Sequence, residues 1–300
     1  MRHEIMVNPV SGKKRGSMYA KRVKNLLHRH GIEANIFESE YAGHLREHAH
    51  DISSQEKTRF YSLGGDGTLN EIVSGIYGTD SEIVVLPCGT GNDFARYYNE
   101  YESLRSIVLS SLNATSSKID IMKLNNDRYC VNILNGGFDA LIAENMNKFR
   151  WVPFLSGTGK YNAAIFYTLV LGKGYPLEIK VDDKKFKGKY TLFAISNARY
   201  YGGGVVPCKN ATPDDGILSI CLVKNTSIFE KVILLPKYKA SKHENISKVY
   251  INDEVKKINI HSNVDFPLSI DGEVSMVKDL ECAIIPEAIN IVKIKKETKI

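Results

Sequence analysis

The sequence predicts an α/β domain with a parallel sheet, followed by a second domain of antiparallel strands, a β-sandwich or barrel. Three observations lead there. Strand and helix patterns alternate, with short loops, over residues 1–120. From Ser117 onward, short strands with Gly, Asn and Asp turns predominate. Three hundred residues, 43% of them hydrophobic, suffice for two modest domains with real cores.

In order, "EIMVNP" reads as a buried strand. Tyr19, Val23, Leu26, Leu27 and His30 then fall at helical spacing, and Gly31 stops that helix. "EANIFES" and "TRFYSLGG" are the second and third strands. Leu69, Ile72, Val73, Ile76 and Tyr77 form one helical face ending at Gly78. "SEIVVLPCG" is a fourth strand and "ESLRSIVLSSLNA" another helix. Beyond Ser117, "KIDIMKLN" and "RYCVNILNGGF" read as strands, with helical patterns over 140–147 and 161–171. "PLEIKVDD", "KFKGKYTLFAISNA", "GILSICLV", "KVYIND", "KKINIHS" and "PLSIDGE" read as further strands, interrupted by one helix near Ser227–Leu235. The expected division is 1–120 for the first domain and 121–285 for the second, with 286–300 returning to the first.

The net charge is +6, from 40 basic and 34 acidic residues mixed along the chain. That suits an anionic ligand or membrane surface and lacks the basic stripe of a nucleic-acid binder. Five scattered cysteines without a C-x-x-C pair argue against a disulfide framework or a zinc site, and for reduced thiols. "MRHEIMVNPVSGKK" has no apolar signal region, and the run from Tyr161 is too short to span a bilayer. The expectation is a cytoplasmic protein, at most peripheral at the inner membrane face. A homodimer is compatible with the sequence.

Three Gly-rich loops follow three predicted strands: "NPVSGKKRG", "GGDGTLNE" and "PCGTGND". In an open parallel sheet such loops gather at the carboxyl ends of the strands, where ligands bind. Glycine permits close backbone approach to a phosphate, Ser11, Thr68 and Thr90 add hydroxyls, and Lys13, Lys14 and Arg15 add charge. No loop is G-x-x-x-x-G-K-[ST] or G-x-G-x-x-G, which argues against a Walker-type NTPase and a dinucleotide oxidoreductase. Some of these residues also fit local roles. Thr68 and Glu71 fit a T-x-x-E capping box, Asn8 before Pro9 fits a strand end, and Asp93 fits a helix cap.

With "NGGFDA", "GKYNA", "PDDGILSI" and "IDGE", these loops occur in the order of the diacylglycerol kinase catalytic-domain superfamily, whose compact bacterial members the chain resembles over nearly its whole length. The resemblance implies ATP-dependent phosphorylation of a membrane lipid hydroxyl, most simply that of diacylglycerol. It also implies a nucleotide-binding α/β domain, a β-sandwich domain and an active site in the cleft between them. On that match Asn8, Pro9, Val10, Ser11 and Gly12 hold nucleotide phosphates, as do Gly64, Gly65, Asp66, Gly67, Thr68, Leu69 and Asn70. Thr90 lies in the third nucleotide loop. Ser39 stands where the family often has a threonine touching ATP.

A lipid alcohol needs a base for its proton and Mg²⁺ to neutralise the phosphates. "PLSIDGE" alone reads equally as a D-G hairpin turn. By resemblance Asp271 is the base and Glu273 a second carboxylate. Asp66, an acid inside a phosphate loop, then acts on Mg²⁺, directly or through water. Asp120 either extends that network or simply ends a strand. The resemblance also implies a structural Mg²⁺ held by the Asp215 carboxylate and the carbonyls of Thr212 and Ile217, against an ordinary Asp-Gly turn.

His44 and His48 share a helix face in "GHLREHAH", but no third ligand is evident, and a surface helix is the expectation. "NKFRWVPFLSG" mixes cations and aromatics and reads as either core or a membrane-interface segment. Two other function classes stand beside the lipid kinase: an NAD kinase, which shares G-G-D-G-T, and a non-catalytic nucleotide-binding module.

Overall fold

A computed structural model describes the chain except residues 90, 100–102, 139, 143–144, 146–162, 165–166, 169–171, 173, 240, 244–245, 247–249, 271–272 and 295–300. The segment "NKFRWVPFLSG" and most of the helical patterns over 140–147 and 161–171 lie outside the described residues.

The first half runs β1 (Arg2–Val7), α1 (Ser11–Lys14), α2 (Gly16–Arg29), β2 (Asn35–Glu38), α3 (His44–Gln55), β3 (Thr58–Gly64), α4 (Asp66–Ile76), β4 (Glu82–Pro87), α5 (Asp93–Asn99) and α6 (Leu104–Leu112). β1 pairs in parallel with β2 and β3, and β3 in parallel with β4. β3 is buried along its whole length, its polar Thr58, Arg59 and Ser62 included, because helices cover the sheet on both faces. On one face, Val23 and Leu27 of α2 and Ile107 and Val108 of α6 pack on Ile5, Tyr61 and Val84. On the other, Leu45 of α3, Leu69 and Ile72 of α4 and Phe94 of α5 pack on Met6, Phe60 and Ile83. Helices α2 and α4, which follow β1 and β3, thus lie on opposite faces of the sheet. The crevice where they diverge lies between the loops that follow β1 and β3.

The second half holds β5 (Ser116–Leu124), β6 (Arg128–Cys130), β7 (Ile133–Gly137), β8 (Tyr175–Val181), β9 (Lys184–Ser196), β10 (Leu218–Lys224), α7 (Ile228–Lys239), β11 (Tyr250–Val255), β12 (Lys257–Ile270) and β13 (Glu273–Val292). Its strands pair antiparallel around a core that includes Leu177, Phe193, Ile220, Phe266 and Leu268. The two halves share one sheet. β13 lies antiparallel to β12 along its first part, and its end, Asn290–Ile291, lies parallel to Glu82–Ile83 of β4. Its register breaks between Ile285 and Ile289.

Two expectations need correction. "KKINIHS" and "PLSIDGE" are not separate strands. They are one strand, β12, with a register break between His261 and Phe266. The capping box at Thr68 and Glu71 does not form. α4 begins at Asp66 with Gly65 as its N-cap, so Thr68 lies inside the first turn. There Thr68 is buried, packed on the backbone of Gly64. Glu71 instead accepts the Leu45 N–H at the start of α3 (3.2 Å).

Candidate active site

The three loops meet. The loop after β1 is shaped by Asn8, whose side chain accepts the Val10 N–H (3.1 Å) and whose carbonyl accepts the Ser11 N–H (3.0 Å). The Ser39 N–H bonds the Val7 carbonyl (3.0 Å), which sets Ser39 beside that loop. The Gly64 carbonyl accepts from both Cys88 (2.9 Å) and Gly89 (3.1 Å), joining the second loop to the third. Contacts this close exclude side chains. A Cβ on Gly89 would stand 2.5 Å from the Gly65 Cα, and one on Gly12 would stand 2.7 Å from the Cys88 Sγ. Part of the glycine signal is therefore loop-on-loop packing. Thr90 lies outside the described residues. Leu69 is turned into the core, so it offers a ligand only its backbone.

The acid in the phosphate-like loop has a definite place. Asp66 Oδ1 accepts the Phe94 N–H (2.9 Å) and Oδ2 the Asp93 N–H (3.1 Å), so its carboxylate caps the start of α5. The first backbone N–H groups of α4, as at any helix start, have no partner within the helix. Asp93 in turn accepts the Gly203 N–H from the second half (2.9 Å). Its other oxygen is buried without a hydrogen-bond partner. Burial pushes the Asp93 carboxyl above its ordinary range, the Gly203 bond pulls it back, and the Asp66 charge pushes it up.

Asp120, buried on β5, gathers a second set of backbone groups. Its oxygens accept the Gly216 N–H (2.7 Å) and the Glu287 N–H (2.8 Å). Burial raises this carboxyl too, opposed by those two bonds and reinforced by the charges of Asp215 and Asp214. Asp215 closes its own turn, accepting from the Thr212 hydroxyl (2.8 Å) and the Ile217 N–H (3.0 Å). Among the described residues no three His, Cys, Asp or Glu side chains cluster as a metal site. His44 and His48 are engaged otherwise. His48 stacks on Phe37 (centroids 3.6 Å apart) and faces Glu4 at 3.7 Å, and His44 stacks on Tyr41.

A cleft of about 300 Å³ opens between the halves. Gly67, Asn70 and Glu71 of α4 line one side, Arg128 and Tyr129 of β6 another, and Ile270, the last residue of β12, a third. Asn70 donates to the Tyr129 carbonyl across it (3.0 Å), and its own oxygen is buried without a partner. Asp271 lies outside the described residues, and of Glu273 only the backbone, opening β13, is described. Arg46 also lines the cleft. Both arginines escaped the sequence reading. "GHLREHAH" drew notice for its histidines, and only the third dimension shows that Arg46 faces the α4 loop.

Comparison with known proteins bears on the same residues. The family model described as "Diacylglycerol kinase catalytic domain" matches residues 3–124, and "YegS C-terminal NAD kinase beta sandwich-like domain" matches residues 132–293. A relative from Shewanella frigidimarina (strain NCIMB 400), named "Probable lipid kinase YegS-like", is 32% identical over 76% of this chain and 74% of its own. A crystal structure described as a diacylglycerol kinase from Bacillus anthracis str. Sterne superposes with a TM-score of 0.70 at 18% identity, covering 97% of this chain and 96% of that one. At that identity the superposition speaks for the fold. The sequence matches go further: the chain belongs to the diacylglycerol kinase catalytic-domain family of lipid kinases, phosphotransferases that use an alcohol as acceptor.

Proposed function

We propose that the enzyme transfers the γ-phosphate of ATP to the hydroxyl of a membrane lipid, and that the lipid is diacylglycerol, giving phosphatidic acid. One observation carries the reading. Ile270, the residue before Asp271 in sequence, lines the same cleft as Gly67 and Asn70, which supports a base from the second half acting on phosphates held by the first. Asn8, Pro9, Val10, Ser11 and Gly12 line the phosphate site, with the Ser11 hydroxyl and the N–H groups of the first turn of α4 as its donors. Ser39 and Thr90 flank the nucleotide. Asp271 takes the hydroxyl proton as the oxygen attacks, and Glu273 is the neighbouring carboxylate. Mg²⁺ bound to ATP would supply positive charge against the developing phosphate charge, with Asp66 the acid that would hold it. Asp66 fits that role through the lone pairs that its two α5 bonds leave unused. A second Mg²⁺ on Asp215 with the Thr212 and Ile217 carbonyls is part of the same proposal, again using lone pairs beyond the turn's own bonds.

The description of the second half as NAD kinase-like favours one rival, transfer to NAD. A panel of diacylglycerol, phosphatidylglycerol, a sphingoid base and NAD with labelled ATP, its products identified by mass spectrometry, decides between them. Label in phosphatidic acid supports the reading. Label only in NADP overturns it.

A further inference from the structure

Helix α7 is apolar on two sides. Inward, Leu234, Leu235 and Tyr238 close a narrow cavity with Phe138, Leu192 and Val223 of the second half. Outward, Phe229, Val232 and Ile233 are 80%, 54% and 62% exposed. These outward residues recur at three- and four-residue intervals and form one stripe along the helix. A helix apolar all round belongs in an interior. This one has its inner side on the sheet and its outer stripe open.

The helix start is fixed in place. Ser227 Oγ accepts the Glu230 N–H (3.3 Å) and Glu230 Oε2 accepts the Ser227 N–H (3.2 Å), a reciprocal capping box. Glu230 also accepts from the Thr226 hydroxyl. The only carboxylate in residues 224–242 is thereby spent within the first turn. Lys231 reaches back to the Gly172 carbonyl (3.2 Å), while Lys224, Lys237 and Lys242 are exposed. An exposed apolar stripe in a stretch that carries five lysines, at 224, 231, 237, 239 and 242, against one carboxylate has the composition of an interfacial helix on an anionic bilayer. A second copy of the chain on this face would set lysines against lysines, so the charge favours lipid over self-association.

We propose that α7 seats the enzyme on an anionic membrane, with Phe229, Val232 and Ile233 entering the headgroup boundary. The proposal rests on the lipid-kinase reading. A bilayer substrate has to be met at the surface by a chain in which no described helix is long and apolar enough to cross.

The test is sedimentation of the whole protein with vesicles of phosphatidylcholine, alone or with about a third phosphatidylglycerol. Wild type should bind the anionic vesicles more tightly. The double variant Phe229→Ser, Ile233→Ser should lose about tenfold or more in that binding. It should keep its thermal midpoint and its turnover on a short-chain diacylglycerol dispersed in detergent. Phe229→Leu with Ile233→Leu should bind as wild type does. Unchanged vesicle binding by the Ser variant overturns the proposal. So does a wild-type dimer in analytical ultracentrifugation that the Ser variant breaks while vesicle binding persists. Vesicle binding needs no catalysis. Loss of binding in the Ser variant, with no lipid phosphorylated by any protein, would therefore refute the substrate reading and leave this surface standing.

Discussion

Asp66 shows how an acid can sit within a phosphate-like loop with its charge engaged elsewhere. Its charge is turned onto the N–H groups of Asp93 and Phe94, where a helix start welcomes it. Asp66→Ala would leave those two donors with no side-chain acceptor at the start of a largely buried helix. The expected loss is about 1–3 kcal/mol of stability, read as a lower urea midpoint at unchanged slope. Lipid phosphorylation should fall further than stability explains, by about a hundredfold or more if the acid faces Mg²⁺. A variant with the wild-type midpoint would show that the cap contributes nothing.

At the scale of elements, Ser227 and Glu230 make the capping box that Thr68 and Glu71 do not. Ser227→Ala should cost about 1 kcal/mol, seen as a lower thermal midpoint. Thr68→Ala should not show a capping loss. The contrast marks what was legible. "T-x-x-E" and "S-x-x-E" look alike in sequence, but Gly65 lets α4 begin three residues early and Thr68 packs on Gly64 instead. The alternation of strands and helices, and the loops that follow them, were readable because their hydrophobic periods are strong. The unity of β12 was hidden by its register break. The role of β13 was hidden because its partners β12, β5 and β4 are remote in sequence. Asp93 reads as a helix cap in the sequence, but Asp66 takes that role, and the Asp93 side chain instead accepts the Gly203 N–H, which ties the halves together.

Across the whole molecule, stability should depend on pH through two histidines in the first half. His3 lies against the Tyr61 hydroxyl (3.2 Å) and His48 against Phe37. Burial is the main cause that lowers both below the ordinary 6.5, joined for His3 by the Arg59 charge and opposed for His48 by Glu4. A folded pKa below the unfolded one means that the unfolded chain binds more protons. Their contribution is therefore fully present above 6.5 and is lost as pH falls through 6.5 toward the folded values. Asp93 and Asp120, raised by burial, work the other way over a window that starts at the ordinary 3.8. Thermal midpoints should fall between neutral pH and about pH 5, and the fall should be shallower in His3→Gln. An unchanged slope in that variant would remove His3 from the account.

The larger arrangement sets the loop crevice of the first half against the end of β12 in the second, held in one sheet by β13 and bridged by Asn70–Tyr129 and Asp93–Gly203. The central proposal is that Asp271, which follows β12 in sequence, takes the proton while the loops of the first half hold ATP. The most direct measurement compares wild type with Asp271→Asn for diacylglycerol phosphorylation and, on the same samples, for ATP affinity. The account predicts ATP affinity within about twofold of wild type and turnover reduced by about a hundredfold or more. Turnover at the wild-type level in Asp271→Asn would contradict it.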